Sequence, residues 1–162
     1  MQPSNLYPEA NWRPLVNHSE PGTLAQRNLI VLHITQGPTA DGAIATFAAS
    51  VAPHRVSAHF VVDRGGTVTQ LLDVSETAWH ASQVNWRSVG VEHAAMVESL
   101  PATEAQYRAS AALVAWLCRL LHVPCDRVHV QGHNEASPAD GHTLCPSGAL
   151  DVDRLVGMAA AL

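Results

Sequence analysis

The chain has 162 residues, 47% of them hydrophobic and 14% charged, which is enough for one ordinary globular core and too few for two full domains. Its formal charge of -5, with nine basic residues spread along the chain, builds no basic stripe for nucleic acid and no polybasic membrane patch. The longest apolar stretch, around 109–121, is interrupted by Arg119 and preceded by Arg108, and so falls short of a membrane span.

Met1-Gln-Pro-Ser-Asn-Leu-Tyr-Pro lacks the basic, apolar and small-residue order of an export signal, so a cytoplasmic location is expected over a trimmed exported form. Residues 1–27 show no hydrophobic period and are expected to wrap the surface of a domain spanning 28–162. The apolar run 29–32 predicts a buried strand whose C-terminal end carries His33, followed by a helix over about 41–50. Segments 57–63 and 67–72 alternate as strands, and Arg64-Gly65-Gly66 between them supplies a tight hairpin turn. A further strand over 88–93 carries Glu92. Thr103 with Gln106 three residues on forms a capping box for a helix over 104–121, which stops before Pro124 and covers the sheet with its apolar face. A short strand over 128–131 leads to Gly132 and His133, residues 134–148 read as loop, and a last helix starts near Asp151. Strands alternating with helices, without repeats, predict a single α/β domain.

Three residues with metal-ligating chemistry stand at strand ends or in a loop: His33, His133 and Cys145. Two imidazoles and a thiolate make the open tetrahedral set of catalytic zinc, with a fourth position for water, and this points to a hydrolase. Each residue also has a plainer reading: a strand-end histidine bonded to backbone, a turn residue after glycine, a small buried hydrophobe. With ten histidines in the chain, spacing leaves both readings open. Of the three cysteines, only Cys118 and Cys125 remain for a bridge if Cys145 is a ligand.

Five motifs then follow in order: Val56-Ser-Ala-His59-Phe-Val-Val-Asp-Arg-Gly-Gly-Thr-Val, Ala78-Trp79-His80-Ala81, Ser88-Val-Gly-Val-Glu92, Gly132-His133 and Cys145-Pro146. In this order the chain resembles the zinc-dependent N-acetylmuramoyl-L-alanine amidases, a group that includes phage lysozyme-like amidases, bacterial muropeptide-recycling amidases and animal peptidoglycan-recognition proteins. The resemblance spans roughly 28–158 and implies a central mixed β-sheet flanked by helices, with a zinc groove at one end of the sheet. It implies one zinc ion on His33, His133 and Cys145, lowering the pKa of water and polarising the amide between the lactyl group of N-acetylmuramic acid and L-alanine.

Where phage relatives carry a tyrosine before the histidine matching His59, this chain has Ala58, whereas Glu92 closes a motif like that of the recycling branch. Glu92 is therefore the expected general base, able to take a proton from water and return it to the leaving amine. Without the resemblance, Glu92 reads as an exposed strand-end carboxylate, paired with Arg87 or solvated. Many relatives have a lysine two positions before the third ligand. Thr143 stands there instead, and is the expected oxyanion donor, with His142 as the second candidate. The resemblance places His80 in substrate binding, with weaker claims for Trp79 and Asn85; Asn85 reads equally as a turn former, and His59 as a satisfied core group. The implied partner is peptidoglycan or a muropeptide, with no nucleic acid, membrane or obligate protein partner. A non-catalytic recognition module and a zinc hydrolase of another cell-wall amide remain as alternatives.

Overall fold

The computed structural model describes residues 5–162; residues 1–4 of the expected surface segment 1–27 lie outside them. Six strands form one mixed sheet: β1 (Asn11–Trp12), β2 (Leu29–Ile34), β3 (Phe60–Val62), β4 (Val68–Gln70), β5 (Ser88–His93) and β6 (Val130–Gly132), in the order β1-β4-β3-β5-β2-β6. Only β3 and β4 pair antiparallel, and the other neighbours run parallel. Four α-helices accompany them: α1 (Ala40–Ala49), α2 (Glu104–Leu121), α3 (His133–Ala136) and α4 (Val152–Ala160). Among the described residues no helix is long and apolar enough to cross a membrane.

Alternation along β2 and β5 divides the core between the two faces of the sheet. Ile30, Leu32, Ile34, Val89 and Val91 join the main cluster with Leu113, Val114 and Leu117 of α2, and with Leu155 of α4. Leu29 and Val31 point to the opposite face, where Ala81 and Val84 cover them. Because side chains alternate with a period of two, His33 shares this second face with Leu29 and Val31, and Ser88, Gly90 and Glu92 share it from β5. The continuous burial of β2 on both faces explains its uninterrupted apolar run.

Helix α2 forms where its sequence signals it. The Thr103 hydroxyl accepts from Gln106 N at 3.1 Å and the Gln106 side chain accepts from Thr103 N at 3.0 Å, so two otherwise orphaned donors are satisfied. The helix ends at His122, in the left-handed region at φ 55°. The hairpin turn between β3 and β4 relies on Gly66 at φ 87°, a conformation that a side chain would strain, and Ala105 O lies 2.9 Å from where its Cβ would be. Segment 134–148, expected as loop, contains all but the first residue of helix α3 and a 3₁₀ turn at Pro138–Asp140. Four residues are too few to show a 3.6-residue period, and α3 is held by Glu135, whose carboxylate accepts from Gly132 N at 2.8 Å. Cys118 and Cys125 are free thiols. Within 5–27, Tyr7 is buried against Trp116, with ring centroids 5.2 Å apart, and β1 adds an edge strand to β4.

Candidate metal centre and active site

Parallel pairing sets the site. The register aligns His33 with Glu92 across β2 and β5, and Leu32 with Gly132 across β2 and β6, which brings His133, the next residue, level with His33. The C-terminal ends of three parallel strands thus meet at one edge, the place where open α/β sheets hold ligands. The loop after α3 returns Cys145 to the same edge, where Ile34 N donates to its Sγ at 3.5 Å.

His33 Nδ1 lies 3.1 Å from His133 Nδ1 and 3.9 Å from Cys145 Sγ, and the ligand atoms of all three residues lie within 4.8 Å of one another. Both imidazoles are buried. Burial, reinforced by the neighbouring histidines, pushes the pKa of His33 well below its ordinary value. Burial also lowers that of His133, against the opposing pull of Asp140. Both rings are therefore neutral at pH 7. The Nε2 of His133 donates to Asp140 Oδ2 at 2.9 Å, which leaves its Nδ1 as a bare lone pair facing His33. Burial would raise Asp140, but hydrogen bonds from His133, Ser82 and Ser137 hold its carboxyl at about 2, so it stays ionised and fixes the His133 tautomer. The Cys145 thiol is pushed up to about 12, first by burial and then by the nearby Glu92 charge. Neutral imidazole nitrogens converging with a thiol that needs a cation to ionise fit a soft or borderline divalent metal such as zinc, and do not fit magnesium or calcium.

Glu92 departs from the expectation of an exposed, paired carboxylate. Part of the residue faces the groove, but Oε2 is buried and has no hydrogen-bond partner among the described residues, and burial raises the carboxyl to about 8. Arg87, the partner expected on spacing, bonds Asn28 Oδ1 at 3.0 Å instead. A carboxyl poised near neutrality beside a metal site suits proton transfer.

The groove over the site has a volume of about 470 Å³ and includes His33, His133, Cys145, Glu92, Thr143 and His142. Phe47, Val56, Trp79 and Leu144 supply its apolar walls. Arg55 lies over the Trp79 ring, 5.6 Å from its centroid. Thr143 is exposed at the rim, and His142 is also exposed, with its ring centroid 4.7 Å from that of His133.

Two expected substrate-binding residues sit differently. Asn85 is absent from the groove lining, and its Oδ1 accepts from His80 N at 3.0 Å and Ala81 N at 2.8 Å, so it shapes the backbone of this loop. His80 borders the groove, but its Nδ1 lies 2.9 Å from His33 Nε2 and its Nε2 lies 3.1 Å from Ser88 Oγ. Both ring nitrogens are already engaged by protein. His59 is a fully buried, satisfied core group: its Nε2 donates to Glu76 O at 2.9 Å and its Nδ1 accepts from Gly90 N at 3.0 Å. The sequence reading missed Asp140. Its signal was an acidic residue in the loop joining two candidate ligands, a weak one because loops are rich in aspartate for turn-forming reasons.

The profile of the N-acetylmuramoyl-L-alanine amidase family matches residues 24–148. Among curated proteins, N-acetylmuramoyl-L-alanine amidase A of Achromobacter lyticus is 28% identical over 147 residues, covering 80% of this chain and 81% of that protein. The 1,6-anhydro-N-acetylmuramyl-L-alanine amidase AmpD of Salmonella typhimurium is 31% identical over 100 residues, 57% of this chain and 52% of its own length. A crystal structure of a selenomethionine derivative of AmpD superposes with a TM-score of 0.74 at 24% identity, covering 98% of this chain and 99% of that one. It shares the fold described above.

Proposed function

The chain belongs to the N-acetylmuramoyl-L-alanine amidase family and is an enzyme hydrolysing the amide between N-acetylmuramic acid and L-alanine, and we propose that it does so with one zinc ion held by His33, His133 and Cys145. The observation that carries this reading is the meeting of three ligand atoms within 4.8 Å beside a buried, unpartnered carboxylate. When bound, zinc would act as a Lewis acid on the carbonyl and make water nucleophilic near neutral pH.

The protein's own groups supply the remaining chemistry. Glu92 takes a proton from the attacking water and delivers it to the nitrogen of L-alanine as the C–N bond breaks, so that a lactyl carboxylate and a free amine result. Thr143, at the rim two residues before Cys145, donates a hydrogen bond to the oxyanion, and His142 is the alternative donor. Trp79, Val56 and Phe47 offer the apolar faces against which sugar or peptide packs, and this packing displaces water from the groove. Peptidoglycan or soluble muropeptide is the proposed substrate.

The test is a digest of purified peptidoglycan and of a defined muropeptide with the zinc-loaded protein. Release of stem peptides with a free N-terminal L-alanine supports the assignment. Amines appearing elsewhere in the stem, with L-alanine still blocked, would refute the proposed bond.

A further inference from the structure

We infer that His80 and Ser88 form a hydrogen-bond relay that fixes the tautomer and orientation of His33, so that they are positioning residues for the metal centre and not substrate ligands; this rests on the metal reading above. The direction of the relay follows from its far end. Ser88 Oγ lies 2.8 Å from Val84 O, and a carbonyl can only accept, so the single hydroxyl proton is committed there. Ser88 Oγ must then accept from His80 Nε2, 3.1 Å away. A neutral imidazole that donates through Nε2 accepts through Nδ1, and His80 Nδ1 faces His33 Nε2 at 2.9 Å. His33 therefore donates through Nε2 and presents Nδ1 as a bare lone pair.

That lone pair points at His133 Nδ1, 3.1 Å away, which Asp140 independently leaves bare. Two acceptors at this distance repel unless a cation lies between them. Each ligand histidine is thus held from behind, by a carboxylate for His133 and by a second imidazole for His33.

Three further contacts hold the relay in place. Asn85 Oδ1 accepts from the backbone N–H of His80 and of Ala81, fixing the loop that carries the ring. The ring lies on Gly90 of β5, between Ser88 and Glu92, and a Cβ at Gly90 would come within 2.7 Å of His80 Cγ. Gly90 N donates to the buried His59, which anchors the strand beneath the ring. The glycine and serine of the Ser88-Val-Gly-Val-Glu92 segment thus have separate tasks: one makes room for the imidazole and the other orients it.

The experiment combines imidazole ¹⁵N NMR of the metal-free protein with zinc affinity by chelator competition, for the parent, His80→Phe, His80→Asn and Ser88→Ala. The phenyl ring fills the space and accepts nothing, whereas the asparagine Oδ1 takes the place of Nδ1 as acceptor. The expected result is an Nε2–H tautomer at both His33 and His80 in the parent. His80→Phe loses the His33 tautomer preference and about 10- to 100-fold in zinc affinity, and His80→Asn recovers most of both. In Ser88→Ala, His80 becomes a mixture of tautomers. An Nδ1–H His33 in the parent, or unchanged zinc affinity and His33 tautomer in folded His80→Phe, would overturn the relay. A parent that shows these tautomers yet binds no zinc refutes the metal reading while leaving the relay established.

Discussion

Glu92 makes the stability of the metal-free protein depend on pH in a way that a single substitution removes. Its carboxyl, lifted by burial from an ordinary 4.5 to about 8, keeps a proton in the folded state that the unfolded chain has already lost. A raised folded pKa means stability that is fully present below pH 4.5 and is lost as pH rises through 8. The slope is about 1.4 kcal/mol per pH unit. The histidines work in the opposite sense. Burial holds His59 and His93 at about 4, and lowers His33, His80 and His133 as well, so the unfolded chain takes up protons before the folded one as pH falls through 6.5, and stability falls on acidification. The two effects oppose each other between pH 6.5 and 8, where the histidines of the unfolded chain are still losing protons while Glu92 keeps its own in the folded state, so the Glu92 contribution is read as the difference between the protein and a variant that lacks the ionisation. From pH 6.5 to 8 the Glu92 contribution should fall by roughly 1.6 kcal/mol, less than the full slope because titration levels off as pH reaches the folded pKa. Glu92→Gln keeps the shape and removes the ionisation. Urea unfolding of both proteins at closely spaced pH values from 6 to 8, with metal stripped by a chelator, should show the variant gaining about 1.5–2 kcal/mol of stability relative to the parent between pH 6.5 and 8. A variant whose stability runs parallel to the parent's over this range would show that Glu92 is not the buried ionisable group.

Three other substitutions probe separate parts of the structure. Thr143→Ala should retain zinc and lose about 10²-fold in turnover on a muropeptide, and unchanged turnover would transfer the oxyanion role to His142. Asp140→Ala frees the His133 tautomer and should weaken zinc binding about 10- to 100-fold in chelator competition; equal affinity would mean that the 2.9 Å contact does not orient the ligand. Leu117→Ala, at a fully buried position of α2, should lower unfolding stability by about 2–5 kcal/mol in urea, and a loss well under 1 kcal/mol would contradict the packing of α2 on the sheet.

Local signals in the sequence were strong where they did not depend on partners. Helix α2 is legible because its capping box and long 3.6-residue period are written within one segment, and β5 because it starts with, and contains, the Ser88-to-Glu92 motif. Register is different, since no property of 29–34 or 88–93 alone says that these strands are neighbours, and it is this pairing that sets His33 beside Glu92. The three candidate ligands could be named from chemistry and family resemblance, yet their convergence depends on parallel crossovers and on a returning loop. The burial of Glu92 was misjudged without the resemblance because a strand-end carboxylate is usually solvated. His80 and Asn85 were assigned to substrate from their place in motifs. Their hydrogen-bond partners at Ser88, His33 and the 80–81 backbone are tertiary facts, and on these rest the positioning roles we propose.

The most direct measurement is zinc content together with muropeptide cleavage for the parent, Cys145→Ala and Glu92→Ala. One zinc per chain in the parent, loss of metal in Cys145→Ala, and retained metal without release of L-alanine-terminated peptide in Glu92→Ala is the predicted result. A parent that cleaves the amide equally well with no metal bound, or a Glu92→Ala variant that remains fully active, would contradict it.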